Sequence, residues 1–285
     1  MGQMTLRQLL QEVIAALTAA GVEDAGFDGL QLVCRHTGLS PARLRADGDR
    51  PADAAVLAPL RACVARRCAG EPLQYVLGEW EFFSLPFYVG PGVLIPRADT
   101  EILVDEALRF LEGVAAPRVA DLCAGSGCVG LALAHERPDA AVTGVEVSAR
   151  AAAYWRRNAA RNRLPNAVLR QADVLAGPQA GDLFHMIVAN PPYIPARDLP
   201  GLSREVRHEP ALALNGGADG LTFYRAIIRQ WTAALTPDGS LLFEVGAGQS
   251  EAVAALLQTR FQQVYTVPDL NGIPRVLIGT AVIHT

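Results

Sequence analysis

The segment Asn190-Pro191-Pro192-Tyr193 is the part of the sequence whose residue types and spacing most clearly indicate chemistry. It follows directly on the apolar run from His185 to Ala189, which is predicted to be a strand. Because proline fixes its own φ angle and restricts the residue before it, the Asn190 side chain and the Pro191 carbonyl group are held in one arrangement. Open α/β sheets bind ligands at the carboxyl ends of their strands, so this rigid loop is expected to line a binding site.

A rigid pair of acceptors suits a planar NH2 group, such as an amide or an aromatic amine. That nitrogen is a poor nucleophile and is not deprotonated near pH 7. The side-chain oxygen of Asn190 and the main-chain oxygen of Pro191 can each accept one N–H hydrogen bond and turn the lone pair toward an electrophile. Catalysis would then rest on orientation and electrostatics, with Tyr193 as an aromatic wall beside a cationic group. The alternative is a tight polar turn at a strand end.

A glycine-rich loop supplies the second indication of function. The residues from Asp121 to Gly130 read Asp-Leu-Cys-Ala-Gly-Ser-Gly-Cys-Val-Gly between a predicted strand and a predicted helix. Such a loop lets an adenosine-containing cofactor approach the backbone, although it can also be an ordinary strand-to-helix turn. Its glycines also satisfy the dinucleotide pattern, a weak signal that keeps NAD open beside S-adenosylmethionine (AdoMet). The proline-rich clamp favours AdoMet, because hydride transfer needs no such acceptors.

Two carboxylates follow the next two predicted strands. Glu146 ends one strand and can accept hydrogen bonds from both ribose hydroxyls of either cofactor. Asp173 follows the other strand and is placed to accept from an adenine amino group, but it can equally well cap a turn or helix. These two residues are therefore predicted to bind the cofactor without deciding which cofactor it is.

Composition excludes several other classes. The chain has 285 residues, 51% of them hydrophobic and 19% charged, which predicts a globular protein. All 25 basic residues are arginine, so a Schiff-base lysine and a phosphate-binding Walker A lysine are excluded. The net charge of -4 offers no overall attraction to nucleic acid, and the five cysteines show no zinc or disulfide spacing. Because we find no secretory or membrane-spanning apolar run, we expect a cytoplasmic protein. From the cysteine spacing we expect no metal site.

The elements that must position these residues follow from the hydrophobic patterns. Apolar residues recur at helical spacing in the first part of the chain, which predicts a helical domain over residues 1–77. Aromatic and β-branched residues between turn formers predict a β-hairpin linker over residues 78–96. Over residues 97–285, seven short apolar runs alternate with helical stretches, which predicts a doubly wound α/β domain.

In order and spacing, the motifs of the chain resemble the bacterial release-factor glutamine N5-methyltransferases over nearly the full length. Besides the helical segment, the glycine loop and the Asn-Pro-Pro-Tyr segment, the resemblance rests on Gly70-Glu-Pro-Leu-Gln-Tyr-Val-Leu-Gly, Leu94-Ile-Pro-Arg-Ala-Asp-Thr-Glu101, Glu209-Pro-Ala-Leu-Ala-Leu, Phe243-Glu-Val-Gly and Asp269-Leu-Asn-Gly-Ile-Pro-Arg. It implies a helical domain that docks the protein substrate, followed in sequence by a Rossmann-like methyltransferase domain.

The resemblance also implies the reaction and its residues. The substrate would be a class 1 peptide chain release factor, whose Gly-Gly-Gln glutamine receives the methyl group of AdoMet on its N5 amide. Catalysis would fall to Asn190, Pro191 and Tyr193, and the substrate would also meet Pro192 and Glu209. Cofactor contacts are implied at Cys123, Ala124, Gly125, Ser126, Gly127, Glu146, Asp173, Val174 and Asn190. A segment containing Arg97, Asp99, Thr100 and Glu101 would close over the cofactor, unless these are only exposed charges at a helix start.

Two departures bear on the cofactor site, since Cys123 stands where the family usually has glycine and Val174 where a bulkier residue is common. Other functions stay open at this point. A ribosomal-protein glutamine or an adenine N6 nitrogen presents the same planar NH2 group, and arginines between Arg150 and Arg163 could contact nucleic acid. A cofactor-binding scaffold without turnover is a further alternative. We expect a monomer without stable nucleic-acid binding.

Overall fold

The computed structural model describes residues 3–283. Contacts divide the chain into two compact units. One contains the residues up to Gly78 together with Ser203–His208, and the other contains Glu79–Leu202 together with the residues from Glu209 onward. By contacts, the hairpin clusters with the second unit, and six residues far along the chain cluster with the helices. The division into a helical domain, a linker and a methyltransferase domain stays a prediction.

The first unit is helical. Its helices are α1 (Leu6–Ala19), α2 (Ala25–Thr37), α3 (Pro41–Ala46), α4 (Ala54–Cys68) and α5 (Leu73–Leu77). Helix α1 begins with a capping box, in which the Thr5 hydroxyl accepts from the Gln8 amide and the Gln8 side chain accepts from the Thr5 amide. Gly38, in the left-handed conformation at φ 70°, ends α2. Local signals therefore define these helix ends.

A buried arginine organises this unit. Arg67 of α4 donates to the Asp28 carboxylate of α2 at 2.6 Å and to Glu205 at 2.5 Å. Burial raises the pKa of Asp28, and the Arg67 guanidinium opposes that shift. The 203–208 segment is thus joined to two helices that precede it by more than a hundred residues.

The second unit begins with a β-hairpin of strands β1 (Glu79–Phe82) and β2 (Leu85–Tyr88). Phe83 and Ser84 form its turn with positive φ angles of 50° and 60°, the sign that a tight two-residue hairpin turn requires. Phe82 and Phe87 are buried and meet edge to face. This hairpin was expected from the aromatic and β-branched pattern.

A seven-stranded sheet follows. Its strands are β3 (Arg118–Leu122), β4 (Ala141–Glu146), β5 (Ala167–Gln171), β6 (Phe184–Ala189), β7 (Leu235–Glu244), β8 (Phe261–Pro268) and β9 (Pro274–Val282). The order is β5-β4-β3-β6-β7-β9-β8, with β9 antiparallel to both of its neighbours and the other pairs parallel. The order reverses between β3 and β6, which is the switch point where doubly wound sheets bind ligands.

Helices cover both faces of the sheet, and strand residues alternate between two cores. They are α6 (Glu101–Phe110), α7 (Cys128–Glu136), α8 (Ala149–Arg161), α9 (Ala211–Leu214), α10 (Thr222–Trp231) and α11 (Ser250–Leu257). Met186 and Val188 of β6 pack into the core that includes α6, α7 and α8, while Ile187 and Ala189 pack into the core with α10 and α11. The predicted doubly wound α/β fold is confirmed. No helix within residues 3–283 has the length and apolar character to span a bilayer.

Candidate active site

A cleft opens at the carboxyl ends of β3, β4 and β6, and its volume is about 920 Å³ when the open solvent at its mouth is included. The sequence-predicted site residues that line it are Cys123, Ala124, Gly125, Ser126, Glu146, Asp173, Val174, Asn190 and Pro192. Gly127, Pro191, Tyr193 and Glu209 are not among its lining residues. The structure thus brings the two sequence motifs to one place, the switch point of the sheet.

The glycine loop turns back on itself through left-handed residues. Cys123, Gly125 and Gly127 have φ angles of 60°, 55° and 86°, and the Gly127 amide donates to the Ala124 carbonyl at 2.7 Å. A Cβ on Gly127 would come 2.7 Å from Leu131 of α7 and from Trp155 of α8, so this glycine allows the loop to pack against both helices. Its predicted role as a cofactor contact remains a prediction.

The left-handed backbone of Cys123 gives a physical reason for the glycine that the family resemblance leads us to expect at position 123. A side chain in the left-handed region costs roughly 1–2 kcal/mol, which glycine avoids. Burial raises the pKa of the Cys123 thiol, with the carboxylates of Glu146 and Asp121 adding to the shift, so the thiol stays neutral. This cysteine is therefore a small, uncharged part of the cleft wall.

Glu146 ties the loop to the end of β4. Its Oε2 accepts from the Gly125 amide at 2.8 Å and its Oε1 accepts from the Ser148 amide at 2.7 Å. Burial raises the pKa of Glu146, and these two backbone donors oppose the shift. Each carboxylate oxygen keeps a lone pair for a further donor, which a ribose hydroxyl could supply.

Asp121, at the end of β3, also lines the cleft and is buried. Its Oδ2 accepts from the Gly130 amide at 2.9 Å, across the loop. Burial raises the pKa of Asp121 to about 7, opposed by the Gly130 hydrogen bond and reinforced by Glu146. The cleft therefore holds two acidic groups that burial drives toward the neutral form.

Asp173 has the capping geometry that was one of its two expected roles. Its Oδ1 accepts from the Leu175 amide at 2.9 Å and begins a single turn, Val174–Ala176. Asp173 nevertheless lines the cleft beside the buried Val174. The second carboxylate oxygen can serve a ligand while the first holds the turn.

Asn190 follows β6 and lines the cleft with its side chain in a hydrogen-bonded chain. Its Nδ2 donates to the Thr100 hydroxyl at 3.3 Å, and that hydroxyl donates to Oε2 of Glu244 at 2.5 Å. Burial raises the pKa of Glu244 to about 7, with Thr100 and Arg275 opposing the shift. The amide nitrogen of Asn190 is thus directed toward Thr100.

The rest of the proline-rich loop is fixed from behind. The Tyr193 carbonyl accepts from Nε2 of Gln249 at 2.9 Å, and the Ile194 amide donates to the Leu214 carbonyl at 2.9 Å. A Cβ on Gly216 would lie 2.7 Å from the Tyr193 backbone, so only glycine permits this close approach. Burial, with Glu244 adding to it, raises the pKa of Tyr193 to about 12, which keeps the phenol neutral.

Glu209 acts on the wall of the cleft from outside it. Its side chain is buried and accepts from the Ile95 amide at 2.9 Å and from the Arg97 guanidinium. Ile95 and Arg97 line the cleft, as does Thr100 of the same segment. Asp99 instead pairs with Arg275 at 3.1 Å, and Glu101 accepts from the Phe83 amide at 2.8 Å. The predicted contact between Glu209 and substrate remains a prediction.

Comparison with known proteins decides the family. Residues 8–78 match the model of the PrmC N-terminal domain, and residues 99–201 match the methyltransferase small domain. The release factor glutamine methyltransferase of Geobacter sulfurreducens is 44% identical over 277 residues, covering 96% of each chain. That of Moorella thermoacetica is 40% identical and covers 97% of this chain and 98% of its own. The chain belongs to the release factor glutamine methyltransferase family.

A solved structure agrees with the fold. The 16S rRNA N2 G1207 methyltransferase (RsmC) of Thermus thermophilus, in complex with AdoMet and guanosine, is 23% identical with a TM-score of 0.53. The match covers 71% of this chain and 49% of that one. At this identity the likeness shows the methyltransferase fold alone. The resemblance inferred from the motifs is confirmed by the relatives, and the chain is a methyltransferase of this family.

In this release factor glutamine methyltransferase, sequence reasoning missed the residues that hold the Asn-Pro-Pro-Tyr loop. Gly216 and Gln249 lie far from the loop in sequence and come to it only through the fold. Glu244 could have been predicted as a site residue, because its carboxylate directly follows the apolar run Leu241-Leu-Phe. An acidic residue that a strand buries needs partners, and such residues are frequent at functional sites.

Proposed function

We propose that this enzyme transfers the methyl group of AdoMet to the N5 side-chain amide of the glutamine in the Gly-Gly-Gln motif of class 1 peptide chain release factors. The observation that carries the proposal is the placement of Asn190 on the cleft wall at the end of β6, with its amide nitrogen bound by Thr100. That arrangement leaves the amide oxygen available for a substrate N–H.

The chemistry of the cleft suits AdoMet. Glu146 and Asp173 offer carboxylate oxygens to hydroxyl and amino donors, and Val174 offers an apolar surface beside them. The glycine loop opens helix α7 and lines the same cleft. When bound, AdoMet supplies an electrophilic methyl group on a sulfonium sulfur. We assign Cys123, Ala124, Gly125, Ser126, Gly127, Glu146, Asp173, Val174 and Asn190 to its binding.

The protein's own part in the reaction is to bind and orient the glutamine amide. The Asn190 side-chain oxygen and the Pro191 main-chain oxygen accept the two N–H groups, so the nitrogen lone pair points at the methyl carbon. We assign Pro192, which lines the cleft, and Tyr193 to substrate contact, and Glu209 holds Ile95 of the cleft wall in place. Bound AdoMet would supply the methyl group, leaving the electron pair of the broken methyl–sulfur bond on sulfur, and the amide nitrogen would lose one proton to solvent.

Two arginines of α8 have structural contacts within the protein. Arg157 and Arg161 stack on Tyr88 at 4.5 and 4.3 Å from the ring centroid, and Arg161 also pairs with Glu79 at 2.8 Å. These guanidiniums brace the hairpin against the helix, which weakens their interpretation as a phosphate footprint. We therefore propose a monomer without stable nucleic-acid binding, whose helical unit docks the release factor in the cytoplasm.

The test is transfer of labelled methyl from AdoMet to a purified release factor. Wild type should label the factor, whereas Asn190→Ala should not, and a factor whose Gly-Gly-Gln glutamine is replaced should stay unlabelled. Asn271→Ala, a matched change in the β8–β9 turn, should retain full activity. Labelling of a ribosomal protein or of DNA, with an unlabelled release factor, would show that the substrate assignment is wrong.

A further inference from the structure

Three polar side chains from three parts of the chain meet at the cleft wall, which Thr100 and Asn190 line. Thr100 precedes α6, Glu244 ends β7 and Asn190 follows β6. Thr100 and Glu244 are each only 2% exposed, so water does not compete for their hydrogen bonds. The 2.5 Å distance between the Thr100 hydroxyl and the Glu244 carboxylate is that of a charge-assisted hydrogen bond.

The number of protons available fixes the direction of this chain. A threonine hydroxyl has one proton, and while Glu244 is ionised that proton is donated to the Glu244 carboxylate. The hydroxyl oxygen can then only accept, so the group facing it at 3.3 Å must be the Asn190 NH2. The amide oxygen of Asn190 consequently points away from Thr100.

We propose that Thr100 and Glu244 are positioning residues, which select the orientation of the Asn190 amide that presents its oxygen to the substrate NH2 group. This inference rests on the proposed function, in which the Asn190 oxygen accepts a hydrogen bond from the substrate NH2 group. Without this selection an asparagine amide can rotate by half a turn, and its NH2 group would then oppose the substrate's own.

The surroundings of Glu244 support a functional reason for burying it. Two charged side chains, Arg275 of β9 and Asp99, lie near the Glu244 carboxyl group. The phenols of Tyr193 and Tyr224 also lie near it and are neutral. The Nη2 atom of Arg275 pairs with Asp269 at 2.9 Å and with Asp99 at 3.1 Å, so two other carboxylates already compensate its charge. An apolar residue would be cheaper to bury at this strand end than an acid.

The test uses Thr100→Val, which keeps the side-chain shape and removes the hydroxyl, and Thr100→Ser, which restores it. Single-turnover methylation of the release factor is measured at saturating AdoMet, together with the AdoMet dissociation constant and the melting temperature. We expect Thr100→Val to slow the chemical step about 10- to 100-fold with unchanged AdoMet affinity, since misorientation acts on chemistry. Thr100→Ser should recover to within a few-fold of wild type.

The outcomes separate the two proposals. If wild type fails to methylate the release factor, the proposed function fails whatever the variants do. If wild type is active and Thr100→Val reacts at the wild-type rate, the positioning role is wrong. A loss confined to AdoMet affinity or melting temperature, or a loss that serine does not recover, would also overturn it by showing a merely structural contact.

Discussion

At the scale of single residues, the candidate active site contains buried acids whose pKa values are raised by loss of solvent. Asp121 and Glu244 both have pKa values raised to about 7 by loss of solvent. Neither forms a salt bridge with a buried lysine, since the chain has none, and hydrogen bonds from Gly130 and Thr100 hold them instead. Such groups cost stability in their ionised form and mark the place where function sets the residue type.

Replacing Glu244 should change how stability depends on pH. Its pKa rises from 4.5 to about 7 on folding, so the folded state binds more protons than the unfolded state within that window. The contribution of Glu244 to stability must therefore fall as pH rises from about 4.5 to about 7 and level off above it. Glu244→Gln should remove about 2–3 kcal/mol of this loss. Asp121 keeps a similar slope in the variant.

Urea unfolding at pH 5 and at pH 8 measures the effect. The variant should gain stability relative to wild type at pH 8 and little at pH 5. Glu251→Gln, an exposed change at the start of α11, serves as the control and should leave the pH profile unaltered. An equal change at both pH values would mean that the carboxylate is not the titrating group.

At the scale of elements, the sequence predicted what depends on local pattern. The apolar runs at β3 and β6 and the glycine loop between β3 and α7 are recognisable because strand, turn and helix each have their own period or residue type. The partners of Asn190 could not be predicted in this way, because Thr100 and Glu244 reach it from elements 90 residues before it and 54 after it by number. The pairing of β6 with β7 and the packing of α6 against these strands bring them together.

Gly130 in the first turn of α7 gives a test of close packing between elements. A Cβ there would lie 2.7 Å from Oδ2 of Asp121 and 2.9 Å from its Cβ, inside the buried hydrogen bond between loop and strand. Gly130→Ala should therefore destabilise the protein by about 1–3 kcal/mol and weaken AdoMet binding, measured by chemical unfolding and calorimetric titration.

Gly26→Ala is the matched control, because Gly26 lies in helix α2 with nothing within 4 Å of its built Cβ. Alanine should raise stability there by about 0.5–1 kcal/mol through its better helix propensity. If both substitutions behaved alike, contact with Asp121 would not be the reason that position 130 is glycine.

At the scale of the whole molecule, the helical unit depends on a buried ion pair that links distant parts of the chain. Arg67 has a 6% exposed side chain between Asp28 and Glu205. Breaking a buried pair by removing one partner leaves the other charge without compensation, which costs about 3–5 kcal/mol. Sequence patterns did not indicate this pair, since arginines are abundant throughout the chain and mostly exposed.

Arg67→Met should accordingly lower the stability of the helical unit by about 3–5 kcal/mol, seen as an earlier transition in scanning calorimetry. AdoMet affinity should be unchanged, because Arg67 belongs to the other unit. Arg66→Met removes a neighbouring arginine whose side chain is 45% exposed beside Glu71, and should cost less than about 1 kcal/mol. Equal effects of the two changes would contradict the burial argument.

The chain passes between its two units more than once, since Ser203–His208 returns to the helices between Tyr193 and Glu209. A deletion at Gly78 intended to excise the catalytic fragment would therefore leave behind a loop whose anchor, Arg67, has been removed. A clean excision needs a second cut that shortens residues 203–208. The helical unit is therefore encoded by two separate stretches of the gene and cannot be removed by a single cut.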